Sequence, residues 1–263
     1  MRWRRQRGRG RKIKVATNRN GWIMQERGHT QLPTAAKTRF HLETEMSNPV
    51  IRWMRRSGLT VKPEFFLPWG ICDLVGVILD PARIQKRLSY GQNRSIGPPA
   101  RVRILSRIPE HDSGRSISLR KLKRDFLGFF PADVLERELR TLSRDRFVTS
   151  PRIGFFQKRN GWAPLHQRIV AVELKLTRLS EAVAQATSNR SFATHSYVAL
   201  PGQLALRISK SGRAKVFKQE GIGLLAVWHR SCRILLEASA RPSLHDEVIQ
   251  SHVVERFWRT RDS

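Results

Sequence analysis

Three ionisable residues lie inside two apolar runs. Residues 169–176 read IVAVELKL, apolar except for Glu173 and Lys175. Residues 71–79 read ICDLVGVIL, with Asp73 alone among apolar neighbours. Short apolar runs bounded by polar residues suit buried strands. At strand period, Ile169, Ala171, Glu173 and Lys175 share one face, and Asp73 shares a face with Ile71, Val75 and Val77. A charge on such a strand costs several kcal/mol unless it is paired or binds a metal. Glu173 and Lys175 therefore form a cross-pleat ion pair or belong to a site, and Asp73 is either satisfied by a nearby turn or belongs to the same site. Two carboxylates can hold a hard divalent cation. An ammonium beside it can stabilise an attacking water or the charge that develops on a phosphate.

The elements that must position these groups follow from local pattern. Residues 47–58 read as a helix, with Asn48 as N-cap, Pro49 in the first turn and Gly58 after its end. Its apolar stripe is Val50, Trp53 and Met54. Residues 59–67 (LTVKPEFFL) form a strand bent at Pro63. Pro68-Trp69-Gly70 turns the chain into the strand that carries Asp73, so the pair is a β-hairpin. After 168–176, Ser180 can cap a helix over 181–192 with Glu181 in its first turn. Residues 197–200 (YVAL) are a further strand, 221–228 and 233–237 a last hairpin, and 243–258 a terminal helix.

Between the two chemistry-bearing strands lies a long interval. Residues 80–99 read as a polar loop stopped by Pro98-Pro99. Residues 119–127 and 131–145 then show helical stripes separated by Gly128-Phe129-Phe130. Residues 146–149 (RFVT) look like a strand. Residues 153–157 and 162–165 suit the arms of a hairpin turning at Lys158-Arg159-Asn160-Gly161. Helix, turn, helix and hairpin together resemble a winged helix-turn-helix, a geometry that reads DNA but also serves protein contacts. Arg140, Arg144, Lys158 and Arg159 are the candidate nucleic-acid contacts.

Composition bounds the partner. The 263 residues carry 50 Lys and Arg against 21 Asp and Glu, a formal charge of +29. Such an excess points to a polyanion, with nucleic acid first and double-stranded DNA foremost. Arg-rich residues 1–14 lack any apolar face. They read as a sequence-independent DNA arm or as an over-called start, with translation beginning at Met24 or Met46. Two cysteines, Cys72 and Cys232, exclude a disulfide framework, which suits a reducing cytosol or nucleoid. No run is long enough to span a membrane, and no secretory signal is visible. Homodimerisation is left open.

In this order, helix, strand, strand with Asp73, strand with Glu173-Leu174-Lys175, helix and strand, the chain resembles the PD-(D/E)xK nuclease superfamily. The resemblance rests on GICDLVGV and VAVELKL and covers residues 47–79 and 165–239. It implies an α/β fold of restriction-endonuclease-like type, a mixed sheet flanked by helices, with the winged-helix-like segment inserted. It also implies Mg²⁺, or Mn²⁺ in its place, held by Asp73, Glu173 and the carbonyl of Leu174. Lys175 would assist the attacking water, Gln185 in AVAQATSN would match a helix glutamine, and Glu64, or less readily Glu45, would supply a further acid. The implied domains are a basic arm (1–46), a core in two parts (47–80 and 165–240), the linker and insertion (81–164) and a C-terminal helix (241–263). The implied activity is metal-dependent hydrolysis of DNA. The rival readings are a non-catalytic DNA-binding protein on the same scaffold and, less well matched, an RNA-associated basic protein.

Overall fold

The computed structural model describes residues 39–159, 162, 164–240 and 246–258, together with the backbone of two dipeptide strands. Those strands, β1 (Ala16–Thr17) and β2 (Ile23–Met24), pair antiparallel. The chain divides into two units, Met1–Lys37 and Thr38–Ser263. The second unit holds both chemistry-bearing strands. The basic run 1–14 and the Asn160-Gly161 turn lie outside the described residues. No helix among the described residues is long and apolar enough to cross a membrane.

The fold of the second unit is mixed α/β. A short 3₁₀ turn, Glu43–Met46, leads into α1 (Ser47–Arg56). The expected hairpin follows as β3 (Thr60–Leu67) and β4 (Gly70–Leu79). After a long interval come β8 (His166–Leu174), α6 (Leu179–Ser188), β9 (His195–Pro201), α7 (Gly202–Ser209), α8 (Ala214–Glu220), β10 (Gly223–Trp228), β11 (Ser231–Leu236) and α9 (Glu247–Trp258). Six strands form one sheet in the order β11-β10-β9-β8-β4-β3. The pairs β8–β9 and β9–β10 are parallel and the others antiparallel.

The central strands are near-continuous apolar runs whose side chains alternate between faces, so both faces of the sheet are apolar and helices cover both. Val170, Val172 and Leu174 pack with Val50 and Met54 of α1 on one face. Ile169 and Ala171 pack with Val253, Val254 and Phe257 of α9 on the other. Farther along the sheet, Tyr197, Ala199, Leu225 and Val227 join the α1 side, while Val198, Leu200, Leu224 and Ala226 meet α6, α7 and α8. Helix α1 sits close on β4: a Cβ at Gly76 would come within 2.7 Å of the Met54 side chain.

Several local expectations change. The core begins before residue 47, because Phe40 and Met46 are buried in the α1-side cluster. Helix α1 follows directly from the 3₁₀ turn, so Asn48 is not its cap. Residues 80–99 are not simply a loop: Asp80 accepts the N–H groups of Ala82 and Arg83 and caps α2 (Pro81–Ser89). The run PARIQKRLS hides its helix because its inward residues are Ile84 and Arg87, one of them charged. The expected terminal helix, α9, covers the face of the sheet that carries Ile169 and Ala171.

The interval itself contains α3 (Pro99–Arg107), β5 (Ile117–Ser118), α4 (Leu119–Asp125), α5 (Ala132–Arg144), β6 (Val148–Arg152) and β7 (Phe155–Lys158). The strands form a small sheet in the order β5-β7-β6. Ile104, Leu122, Leu135, Leu139, Leu142 and Phe147 make an apolar cluster there, against which Val248 at the start of α9 also packs. The hairpin is β6–β7, turning at Ile153-Gly154 with Gly154 at φ 72°, not at Asn160-Gly161. A glycine accepts that left-handed conformation without steric cost.

Candidate functional site

The site forms where β4 and β8 run side by side. Their ladder pairs Leu74 with Val172 and Val75 with Ala171. Continuing that register by one residue sets Asp73 opposite Glu173. The two carboxyls are close enough to influence each other's ionisation, so the strands bring together the two acids that sequence separates by a hundred positions. The backbone N–H of Leu174 donates to Asp73 Oδ2 at 2.7 Å. Asn189 Nδ2, just past the end of α6, donates to Glu173 Oε1 at 2.6 Å and also lies 3.5 Å from the Cys72 thiol.

The electrostatics follow from burial. Desolvation, then repulsion from Asp73, pushes the Glu173 carboxyl up to about 7, against the pull of Asn189 and Lys175. Burial likewise raises Asp73, opposed by the Leu174 N–H and Lys175, with Glu43 adding repulsion. Burial and the neighbouring Glu173 hold the Cys72 thiol well above its usual range. Glu173 binds its proton more tightly folded than unfolded. Its contribution to stability is therefore full below about pH 4.5 and is lost as pH rises through about 7. Thermal midpoints measured across that window should fall with rising pH, and Glu173→Gln should flatten the slope.

Lys175 is buried, but it does not form the cross-pleat pair with Glu173. Its ammonium lies 3.6 Å from Glu43 Oε2 and 3.4 Å from Glu181 Oε1. Glu43 also accepts the Leu176 N–H at 3.2 Å. The acid that the structure sets beside Lys175 is Glu43; Glu64 and Glu45 are placed elsewhere. Glu45 accepts the His41 N–H. Glu64 is exposed and sits at φ 46°, where the β3–β4 ladder skips the Glu64–Asp73 pair. Left-handed backbone at a non-glycine residue stores strain of order 1–3 kcal/mol.

Gln185 falls four residues after Glu181 and four before Asn189, on the face of α6 that the site uses. Its Oε1 is buried with no hydrogen-bond partner among the described residues. Sequence reasoning missed Glu43, Glu181 and Asn189. The i, i+4, i+8 spacing of Glu181, Gln185 and Asn189 could have revealed two of them. Glu43 had no such signal, because it lies in an aperiodic stretch.

The candidate nucleic-acid residues separate. Arg140 and Arg144 are exposed on α5, near Glu136 and Asp145 respectively. Lys158 is buried, with its ammonium 2.5 Å from Glu110 and over the Trp162 ring, and this removes it from the contact surface. Arg159 is half-buried, and its N–H donates to the Phe147 carbonyl.

No family model and no curated protein matches the chain. Among solved structures, a protein of unknown function from Silicibacter pomeroyi aligns over 85% of this chain and 94% of its own. It has 13% identity and a TM-score of 0.37, a likeness too slight to assign a fold family or a function.

Proposed function

We propose that this chain is a divalent-cation-dependent nuclease of restriction-endonuclease-like type that hydrolyses phosphodiester bonds in DNA. The observation that carries the reading is the meeting of Asp73 and Glu173 on adjacent strands, with Lys175 buried one residue beyond Leu174. A buried carboxyl and a half-buried one held side by side are a donor set that a hard cation stabilises. Among the described residues no three or more His, Cys, Asp or Glu side chains form a metal-holding group. Mg²⁺ commonly needs only one or two protein carboxylates and keeps several waters. Asp73, Glu173 and the Leu174 carbonyl would hold Mg²⁺ or Mn²⁺, and the unpartnered Gln185 Oε1 is a further oxygen donor on the same side. When bound, the cation supplies charge stabilisation at the phosphate and a more acidic water.

The protein's own groups do the rest. Asn189 fixes one Glu173 oxygen, and the Leu174 N–H fixes one Asp73 oxygen, so both carboxylates are oriented before a substrate arrives. Lys175 lies between Glu43 and Glu181, next to the strand end that carries Glu173. The segment from α3 to β7 follows the element order of a winged helix, and the exposed Arg140 and Arg144 on α5 would face duplex phosphates.

Asp73→Asn tests this reading. Losing several kcal/mol of cation stabilisation should lower cleavage of supercoiled plasmid by about 10²-fold or more. Mg²⁺ should raise the thermal midpoint of the parent at pH 8 but not that of the variant. One observation favours a non-catalytic DNA-binding scaffold: Lys175 is already ion-paired to Glu43 and Glu181. Absence of Mg²⁺-dependent cleavage by the parent, with no Mg²⁺ effect on its midpoint, would select that alternative.

A further inference from the structure

The tip of the β3–β4 hairpin exposes three large apolar side chains, one of them on the strand that carries Asp73. Phe66 is 60% exposed, Trp69 49% and Ile71 52%. Phe66 and Ile71 are register partners, so their side chains stand together on one face. Their chain neighbours Phe65 and Cys72 point into the core cluster on the other face. Trp69 is braced against Phe192, with ring centroids 6.5 Å apart. Phe66 and Ile71 make a contiguous exposed pair rather than scattered single side chains, and contiguous apolar surface is the kind that serves a ligand.

Charge and position select the ligand. Arg256 donates to the Phe66 carbonyl and lies over the Phe65 ring, 4.1 Å from its centroid. Lys62 donates to the Arg256 carbonyl. The apolar tip is therefore edged by cations, on a chain of formal charge +29, which favours a polyanion that also carries flat apolar surface. Ile71 lies two residues from Asp73, about 7 Å along the strand. Phe66 and Ile71 stand on the sheet face opposite Cys72 and Glu173, so a nucleic-acid strand that meets both the carboxyl pair and the apolar tip passes around the end of the hairpin. Bases inside a duplex are stacked on one another, so only unpaired bases offer a face to such a platform.

We infer that the hairpin tip is a stacking platform for unpaired bases of single-stranded DNA. Placing that strand relative to cleavage rests on the nuclease reading, but base stacking at the tip does not need cleavage. The test is therefore run on the full chain in EDTA, by fluorescence anisotropy. Three labelled probes of equal length are used: a single strand, the same strand with abasic positions, and the duplex. Phe66→Ala, and separately Ile71→Ser, should weaken single-strand binding by about 5- to 150-fold per stacked base lost. Binding of the abasic strand and the duplex should stay within about twofold, because their phosphates are unchanged. Both substituted side chains are exposed, so the variants keep the parent thermal midpoint. Trp69→Phe, which retains an aromatic ring, should keep most of the affinity.

Equal binding of all three probes by the variants and the parent would overturn the platform. So would equal weakening on all three. A change in oligomeric state by sizing, without selective loss on the single strand, would assign the tip to self-association and end the proposal. Failure of the nuclease reading appears separately, as an Asp73→Asn variant indistinguishable from the parent in Mg²⁺.

Discussion

Lys175→Ala is expected to lower divalent-cation-dependent cleavage by about 10²–10³-fold, the usual loss for one preorganised electrostatic contact in a transition state. Its fold should survive. Removing one partner of a fully buried ion pair destabilises by roughly 3–5 kcal/mol, but the partners of Lys175 are not fully buried. The Glu43 and Glu181 side chains are 34% and 38% exposed. Water can solvate both once the ammonium is gone, and such half-exposed pairs are worth about 0–1 kcal/mol. DNA binding should persist too, since one cation is a small part of the basic surface. Cleavage and thermal midpoint read on the same sample separate the two roles. Cleavage at the parent rate by a folded variant would remove Lys175 from the mechanism. Early melting would make it a structural counter-ion.

The largest stability effect is expected at Glu255. Its carboxylate meets the guanidinium of Arg87 at 2.6 Å, with both side chains buried, and also accepts the Ile96 N–H. Arg87 is otherwise enclosed by the Gln92 and Arg94 carbonyls and the rings of Phe147 and Trp258. Glu255→Ala leaves that guanidinium with a buried, uncompensated charge, at a cost of about 3–5 kcal/mol. For a unit of this size, that lowers the thermal midpoint by roughly 6–20 °C. Arg87→Met with Glu255→Leu should recover much of the loss, because apolar replacements of similar volume remove both buried charges together. Melts of the two variants beside the parent decide it. A Glu255→Ala midpoint within a degree or two of the parent would show that α9 does not clamp α2 and the α3–β7 segment through this pair.

Legibility in the sequence followed the range of the interactions involved. The β3–β4 hairpin, β8, β9 and the β10–β11 hairpin were readable because each is an apolar run closed by turn residues. Asp73, Glu173 and Lys175 stood out because a charge inside such a run needs a reason. Helix α2 was not readable, since its inward position is filled by Arg87, whose burial is made tolerable by Glu255 on a distant helix together with the Gln92 and Arg94 carbonyls. Lys158 looked like a surface cation because Glu110, which pairs with it across an isolated β-bridge, lies 48 residues away along the chain.

The sequence by itself determined which residues are apolar with strand or helix period, and so the two-faced sheet and the three ionisable groups within it. Only the tertiary structure decided their partners. Register between β4 and β8 set Asp73 against Glu173, because a strand pairing shifted by one residue would turn one carboxyl to the opposite face. The approach of the 3₁₀ turn and α6 to the end of β8 gave Lys175 to Glu43 and Glu181 and gave Glu173 to Asn189. Those choices depend on contacts between segments far apart in the chain. Local periodicity carries no information about them, because the free energy of a buried charge is set by what the rest of the fold places next to it.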